Sequence, residues 1–258
     1  FEDPKLTFDS NVVGTFSILE AARKCKTIKK LCLVTSDKVY KNENKNKFFK
    51  EDDLLGGKDI YSTSKVICEY LAESYRNIHI YKNIIVEVVR LGNVVGGGDY
   101  SVNRLLPDLI RSYLKETIFE VRYPNATRPF QHVLDVCNGI YSILMKNPLH
   151  NDNSYRGDCW NLGPRNNTSM IVGDVINLFR RVFELKDIKP RENTLPEDIL
   201  LAVDNSKYVK IFDQPKYNSQ DAVLESINWY KEVHLSNQAP WDLALKDTNQ
   251  FLKNQNYL

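Results

Sequence analysis

The chain reads Leu31-Cys32-Leu33-Val34 and then Thr35-Ser36-Asp37-Lys38, so four apolar residues pass directly into four polar ones. A short, continuous apolar run is typical of a strand that is buried on both faces of a parallel sheet. The carboxyl ends of such strands line the ligand crevice of an open α/β sheet. We therefore expect a strand at Leu31–Val34 whose end presents two hydroxyls, a carboxylate and an ammonium to a ligand.

Helices and strands alternate on either side of this strand. Apolar residues at helical spacing predict a helix before it, capped by Asp9 or Ser10, and a second helix at Tyr61–Ile78. A polar surface loop is predicted at Lys41–Lys50, and Ile84–Val89 predicts the next buried strand. This alternation predicts an α/β fold with a Rossmann-like, doubly wound parallel sheet.

The pattern changes after Gly98. Residues 1–98 are predicted to form part of the sheet domain, and residues 99–258 a smaller carboxy-terminal α/β lobe with some segments that return to the sheet. Apolar spacing in this lobe predicts helices at Leu105–Leu114, Val136–Met145, Ile171–Phe183, Gln220–Val233 and Leu243–Phe251, and strands at Ile118–Arg122 and Trp160–Leu162.

Composition favours an ordinary soluble globular protein. Hydrophobic residues make up 42% and charged residues 26% of the 258 residues, and the net charge is +2. No basic run points to nucleic acid, and no apolar run is long enough to span a membrane. The five cysteines are scattered and the four histidines are dispersed, which favours a reducing cytoplasm and argues against a metal site.

Tyr61 and Lys65 lie four residues apart in the predicted helix, so they project from the same face one turn from each other. A lysine ammonium beside a phenol favours the phenolate, which can take a proton from a substrate. For this spacing alone, an exposed helical pair without a catalytic role is the alternative. Ser36, at the end of the preceding strand, makes the combination more specific than either part.

These residues resemble the Ser/Thr–Tyr–Lys triad of the extended short-chain dehydrogenase/reductase family. Further blocks match in the same order, at Asp52–Lys65, Arg90–Asp99, Asn103–Asp108 and Arg128–Val133. Together they look like the CDP-glucose 4,6-dehydratases of that family, over a resemblance that runs from about Asp9 to Tyr230. The resemblance implies NAD as the cofactor and CDP-glucose or a related nucleotide sugar as the substrate.

The resemblance also implies a mechanism. Tyr61, assisted by Lys65 and Ser36, takes the proton of the sugar 4-hydroxyl while hydride passes from carbon 4 to NAD. A base then removes the proton on carbon 5, an acid helps the 6-hydroxyl to leave as water, and the hydride returns to carbon 6. Asp37 is the expected acid. Lys38, where many sugar-nucleotide 4,6-dehydratases have glutamate, is the expected base; pairing with Asp37 or with a phosphate is the alternative.

Further residues are expected to bind cofactor and substrate. The cofactor residues are Thr35, Ser36, Tyr61 and Lys65, and the substrate residues are Asn93, Arg104, Arg128, Gln131 and His132. Guanidinium forks suit a pyrophosphate, although each arginine could instead be an ordinary surface residue. The run Gly96–Gly98 would permit close backbone approach to a ligand or form only a tight turn.

The glycine-rich turn that opens the dinucleotide-binding unit of this family does not occur in the sequence. Phe1–Asp9 instead resembles the stretch that leads into the fourth helix of the sheet. We therefore expect the first strands and the glycine motif to be missing from this chain, which would expose an apolar sheet edge and make folding and activity depend on the missing segment. By analogy with the family, a homodimer is expected.

Two alternatives stay open. Another extended-family enzyme, such as a UDP-N-acetylglucosamine dehydratase or a sugar-nucleotide epimerase, would use the same triad. A catalytically silent relative would keep the fold but would be expected to lose Tyr61 or Lys65, and both are present. The blocks at Gly96–Asp99 and Arg128–His132 favour the CDP-glucose enzymes.

Overall fold

The computed structural model describes residues 3–43, 47–78, 84–191 and 200–255. The chain divides into two compact units, of which the first comprises Phe1–Gly92, Cys137–Gly163 and Leu201–Pro215. The second comprises Asn93–Val136, Pro164–Leu200 and Lys216–Leu258. The chain thus leaves the first unit after Gly92, before the expected boundary at Gly98, and it returns to that unit twice.

The secondary structure alternates as the sequence predicts. In chain order the elements are α1 (Pro4–Phe8), α2 (Gly14–Lys24), β1 (Lys30–Ser36), α3 (Ile60–Asn77), β2 (Ile85–Leu91), β3 (Val94–Val95), α4 (Leu105–Leu114), β4 (Phe119–Val121), β5 (Thr127–Arg128), β6 (Gln131–His132), α5 (Val133–Met145), β7 (Cys159–Leu162), β8 (Met170–Ile171), α6 (Val172–Arg180), β9 (Ile188–Pro190), α7 (Ser206–Val209), α8 (Ser219–His234) and α9 (Pro240–Asn254). Residues 44–46 of the predicted Lys41–Lys50 loop lie outside the described residues.

A parallel sheet in the order β1-β2-β7 forms the centre of the first unit. One face packs against α2 and α3 through a buried apolar cluster of Leu19, Ala72, Val86 and Val88. Among the described residues β1 pairs only with β2, and the Val34 side chain near its end is 46% exposed. The mixed α/β architecture with parallel strands confirms the predicted fold class.

The helical segment before β1 begins earlier than predicted. Asp3, not Asp9 or Ser10, is the N-cap: its side chain accepts a hydrogen bond from Leu6 N at 2.8 Å, and Pro4 occupies the first helical position. A π-helical turn at Asp9–Val13 joins α1 to α2, so Asp9 lies inside a continuous helical run. The prediction was wrong because α1 has no buried residue and therefore no apolar stripe that marks its start.

The second unit is built around α4, α6 and α8. Their apolar faces bury a cluster that includes Leu109, Phe179 and Ile227. Short strand pairs flank this core, with β3 parallel to β6, β4 parallel to β9 and β5 antiparallel to β8. Within the described ranges, none of the helices of either unit combines the length and the apolar character that a membrane crossing requires.

Candidate active site

Helix α3 begins at a capping box that fixes the position of Tyr61. Asp59 Oδ1 accepts a hydrogen bond from Ser62 N at 2.8 Å, and Ser62 Oγ accepts one from Asp59 N at 3.0 Å. These reciprocal bonds satisfy main-chain N–H groups that have no partner inside the helix. Tyr61 therefore lies in the first turn of α3, with Lys65 one turn later on the same face.

Lys65 connects this face of α3 to the end of β1. Its Nζ donates a hydrogen bond to the carbonyl oxygen of Val34 at 3.1 Å and lies 6.0 Å from the centroid of the Tyr61 ring. Both side chains are half-buried, and α3 packs against β1 and the turn that follows it. Lys65 is thus turned toward the strand end, and the Tyr61 ring lies near its ammonium.

The three other predicted catalytic residues follow the end of β1. Ser36 is its last residue, and Asp37 and Lys38 begin a 3-10 turn at Asp37–Val39. The Ser36 hydroxyl donates to Asp37 Oδ1 at 3.1 Å and accepts a hydrogen bond from Lys38 N at 3.2 Å. Ser36 and Asp37 are buried, and Lys38 is half-buried. A hydroxyl, a carboxyl and an ammonium therefore share one turn, although their catalytic roles stay a prediction.

Thr35, a predicted cofactor residue, has its side chain inside the unit. Its hydroxyl donates to Glu69 Oε1 at 2.7 Å and approaches the carbonyl oxygen of Val89 at 3.3 Å. A contact between Thr35 and a cofactor would therefore use its main chain. Sequence reasoning missed the role of Glu69 and its ion-pair partner Arg90; the two charged residues Glu87 and Arg90 within the mostly apolar β2 were the signal that could have found the pair.

Three predicted substrate residues lie together in the second unit. Asn93 O accepts a hydrogen bond from Gln131 N at 2.9 Å, and the β3–β6 pairing continues this contact to His132. Arg128 lies on β5, three residues before Gln131, with a buried side chain whose Nη1 donates to Thr127 O at 2.8 Å. Asn93 itself is exposed.

The His132 side chain is buried, with an exposed fraction of 7%. Burial, with a smaller contribution from the Lys216 ammonium, lowers the pKa of His132 to about 4. Its Nδ1 accepts a hydrogen bond from Leu134 N at 3.3 Å, and its ring centroid lies 4.7 Å from that of Tyr217. Near neutral pH His132 can therefore donate a hydrogen bond through Nε2 but does not carry a positive charge.

Arg104 has the surroundings of a surface arginine. Its side chain is 60% exposed, and Nη1 lies 3.2 Å from Asp99 Oδ2. Partial burial would raise the pKa of Asp99, but hydrogen bonds from Ser101 and the nearby Arg104 charge outweigh it and lower that pKa. The role of Arg104 in substrate binding stays a prediction, and the alternative of an ordinary surface ion pair agrees with this geometry.

The glycine run at Gly96–Gly98 is explained by packing inside the second unit. A methyl group on Gly97 would come within 2.1 Å of the Trp229 indole, and one on Gly96 within 2.5 Å of Val133 Cγ1. Gly98 has a φ of +83°, a left-handed conformation that favours glycine. The glycines thus allow the Trp229 and Val133 side chains of the same unit to approach the backbone closely.

Comparison with known proteins identifies a family. A model of the NAD dependent epimerase/dehydratase family matches residues 1–163. The CDP-glucose 4,6-dehydratase of Salmonella typhimurium is 30% identical over 240 residues, which are 90% of this chain and 66% of that enzyme. The UDP-glucose 4-epimerase of Mycoplasma genitalium is 25% identical over 90% of this chain and 72% of its own length. The chain thus spans about two thirds of the curated relatives that it matches.

Solved structures give the same result. The dTDP-glucose 4,6-dehydratase of Bacillus anthracis, crystallised with NAD, superimposes with a TM-score of 0.73 at 26% identity, over 88% of this chain and 69% of that chain. The fold of MoeE5, at 18% identity, superimposes with a TM-score of 0.75 over 86% of this chain and 71% of that one.

The groups at the end of β1 are chemically suited to the ribose of a nicotinamide nucleotide. An ammonium has three N–H donors, and the bond to Val34 O takes one of those of Lys65. Ribose hydroxyls can accept such donors, and the half-buried Tyr61 lies on the same helix face. Among the described residues, no group of three His, Cys, Asp or Glu side chains is arranged to hold a metal ion. The chain belongs to the NAD-dependent epimerase/dehydratase family, and its cofactor is NAD.

Proposed function

We propose that this chain carries the catalytic residues of a CDP-glucose 4,6-dehydratase, a lyase that converts CDP-glucose to CDP-4-dehydro-6-deoxyglucose and water. One contact supports this function most directly: Lys65 Nζ donates to Val34 O, next to the turn that begins after Ser36. The 30% identity to the Salmonella typhimurium enzyme supports the choice of CDP-glucose among nucleotide sugars.

The oxidation step would use Tyr61, Lys65 and Ser36. NAD, when bound, accepts hydride from carbon 4 of the sugar and later returns it to carbon 6. Tyr61, as the phenolate that the Lys65 ammonium stabilises, takes the proton of the 4-hydroxyl and becomes the neutral phenol. The Ser36 hydroxyl, which is buried at the strand end, holds the same sugar oxygen by a hydrogen bond.

The elimination step would use Asp37 and Lys38. The ketone at carbon 4 acidifies the proton on carbon 5, which Lys38, as the neutral amine, removes and gives back to carbon 5 when hydride adds to carbon 6. Asp37 delivers a proton to the departing 6-hydroxyl. The two residues are adjacent on the 3-10 turn, and the Ser36 hydroxyl bonds to the Asp37 carboxyl at 3.1 Å, so one short segment would supply both acid and base.

The nucleotide would be bound by five residues of the second unit, namely Asn93, Arg104, Arg128, Gln131 and His132. A guanidinium fork on Arg128 suits the pyrophosphate oxygens. The neutral His132 ring would donate a hydrogen bond rather than neutralise a phosphate, because burial lowers its pKa to about 4.

Substrate trials with the full-length protein and NAD test this function. CDP-, UDP-, GDP- and dTDP-glucose are offered separately, and the alkaline absorbance of a 4-keto-6-deoxy product is followed. We expect turnover of CDP-glucose. Turnover of only the dTDP or GDP sugar would overturn the nucleotide assignment, and formation of only a 4-epimer would favour an epimerase, which relatives such as the Mycoplasma genitalium enzyme keep as the second candidate.

Variants test the residue roles. Tyr61→Phe is expected to abolish oxidation at carbon 4, and Asp37→Asn to stall the reaction after oxidation. Tyr70→Phe is the matched control, because Tyr70 lies on the same helix with 51% of its side chain exposed. Normal turnover by both active-site variants would show that the site assignment is wrong.

We further propose that the enzyme is a cytoplasmic homodimer that pairs through α2 and α3. Both helices expose a large aromatic side chain, Phe16 at 47% on α2 and Tyr70 at 51% on α3. Light scattering should give the mass of two chains, and Phe16→Glu should give that of one. A parent protein that remains monomeric at high concentration would contradict the pairing.

A further inference from the structure

A row of three buried polar residues crosses the sheet of the first unit, one position before its strands end. Thr35 on β1 lies opposite Arg90 on β2, and Arg90 lies opposite Asn161 on β7. Their exposed fractions are 5%, 3% and 0%. An interior position in a strand does not require a charge for packing, so the guanidinium at this place calls for a specific partner.

That partner comes from helix α3. Glu69 accepts two hydrogen bonds from Arg90 Nε, at 2.9 Å to each carboxylate oxygen, and a further one from Arg90 Nη2. The Thr35 hydroxyl donates to the same carboxylate at 2.7 Å. Both charged side chains are at most 3% exposed. The Glu69 carboxylate thus joins α3 to the carboxyl ends of the neighbouring strands β1 and β2.

The other edge of the guanidinium holds the segment after β1. Arg90 Nη1 donates to the Tyr40 hydroxyl at 2.8 Å, and Tyr40 donates in turn to Asn161 Oδ1 at 2.6 Å. Tyr40 directly follows the 3-10 turn at Asp37–Val39. The predicted acid–base segment is therefore flanked by Thr35 on one side and Tyr40 on the other, and the Glu69–Arg90 pair contacts both.

On the helix, the spacing connects this pair to the other predicted catalytic groups. Tyr61, Lys65 and Glu69 follow each other at intervals of four residues, so they share one face of α3. Lys65 donates to Val34 O and Glu69 accepts from Thr35, which are successive residues of β1. Two anchors four residues apart fix both the rotation of the helix and its height above the strand end.

We propose that Glu69 and Arg90 are positioning residues that hold Tyr61 and Lys65 in place against Ser36, an inference that rests on the function proposed above. A buried ion pair often adds little net stability compared with apolar side chains of similar volume. The fork that Arg90 Nε and Nη2 form on the Glu69 carboxylate, in contrast, fixes the orientation of the two side chains relative to each other. Since a displacement of about 1 Å can reduce a rate about 100-fold, loss of the pair should lower the turnover of the molecules that remain folded.

Glu69→Gln is the principal test, with Glu87→Gln as the matched control. Glu87 is a fully buried carboxylate on β2 of the same sheet, but its bonds go to Trp160 and Tyr155. We expect kcat of Glu69→Gln, per folded molecule, to fall at least about tenfold while KM for the nucleotide sugar changes less than about twofold. The acid limb of its kcat profile should move to higher pH, because a displaced Lys65 stabilises the Tyr61 phenolate less. Glu87→Gln should leave kcat, KM and the acid limb of the kcat profile unchanged.

A milder variant keeps the test available if Glu69→Gln does not fold. Thr35→Val preserves the shape of the side chain and removes its hydroxyl bond to Glu69, together with the longer contact to Val89 O at 3.3 Å. Its control is Thr15→Val, because the Thr15 hydroxyl also contacts α3, through Cys68 Sγ at 3.3 Å. A loss of kcat and a shifted pH profile in Thr35→Val alone would support the positioning role. Unchanged kcat and pH profiles in the folded Glu69 and Thr35 variants would overturn it.

A substrate-independent measurement separates this inference from the proposed function. The pH titration of the Tyr61 ring is followed by NMR of [13Cζ]tyrosine, with the resonance assigned by its loss in Tyr61→Phe. If the parent turns over no nucleotide sugar but Glu69→Gln shifts this titration and Glu87→Gln does not, the proposed function fails and the positioning role stands. If the titration is the same in all three proteins, the positioning role is refuted.

Discussion

Replacement of Glu87 by methionine should destabilise the first unit strongly. The Glu87 side chain is fully buried on β2. Donors surround both of its oxygens: Tyr155 Oη at 2.9 and 3.1 Å, His150 Nε2 at 2.8 Å, Asn147 Nδ2 at 3.3 Å, Trp160 Nε1 at 2.8 Å and the main-chain N of Asp158 at 2.9 Å. Methionine has a similar length but offers these donors no comparable acceptor.

The magnitude follows from the donors that cannot turn away. Trp160 Nε1–H and Asp158 N–H point at Glu87 Oε2, whereas the hydroxyl of Tyr155 can rotate. A buried donor left without a partner costs about 1–3 kcal/mol, so Glu87→Met should lower the free energy of unfolding by about 4 kcal/mol. Glutamine keeps an oxygen for these two donors, and its amide can donate to His150 and Tyr155, so Glu87→Gln should cost only about 1 kcal/mol.

Urea unfolding followed by circular dichroism checks this difference. Glu73→Met serves as the control, because Glu73 is an exposed carboxylate on α3 and its loss should change the free energy of unfolding by less than about 0.5 kcal/mol. Equal unfolding midpoints for Glu87→Met and Glu87→Gln would refute the reasoning. They would mean that the carboxylate does not satisfy the surrounding donors.

Three further outcomes are expected. Gly97→Ala should destabilise the second unit by about 2 kcal/mol in urea unfolding, since its methyl group would lie 2.1 Å from the Trp229 indole. Gly14→Ala should instead stabilise the protein by about 0.5–1 kcal/mol, because Gly14 is helical and the nearest atom to an added methyl lies 3.8 Å away. Burial, then Lys216, lowers the pKa of His132 from 6.5 to about 4, so the unfolded chain binds the additional proton between these values. The free energy of unfolding should therefore fall by up to about 3 kcal/mol as the pH drops from about 6.5 to about 4, and His132→Asn should remove that part of the slope. A Gly97→Ala protein as stable as the parent, a destabilised Gly14→Ala protein, or equal pH slopes in the parent and His132→Asn would each contradict the corresponding expectation.

Much of the fold could be predicted because its elements depend on local patterns. The apolar run of β1 and the helical spacing of α3 are visible without any knowledge of partners. The face shared by Tyr61 and Lys65 also follows from spacing alone. Helix α1 was missed because nothing in it is buried, so that only its cap at Asp3 and Pro4 marks its start.

The parts that the sequence does not reveal are contacts between distant segments. Nothing in the spacing of Glu69 and Arg90 shows that they pair, since one lies on a helix and the other on the following strand. The same holds for the Gly96–Gly98 run, for which both a ligand contact and a tight turn remained open. Its packing partner Trp229 lies on α8, much later in the chain.

Strand β2 carries two buried charges that serve different parts of the first unit. Glu87 and Arg90 are three residues apart, so their side chains point to opposite faces of the sheet. The donors of Glu87 come from the segment between α5 and β7 and from β7 itself, whereas Arg90 binds Glu69 on α3 and Tyr40 after β1. Since the two networks share no side chain in these contacts, loss of the Glu87 network should lower the free energy of unfolding of the unit without altering the turn at Ser36 in the molecules that remain folded. Of these two networks, the Glu69–Arg90 network is the one that contacts Thr35 and Tyr40, the residues that flank the predicted catalytic segment.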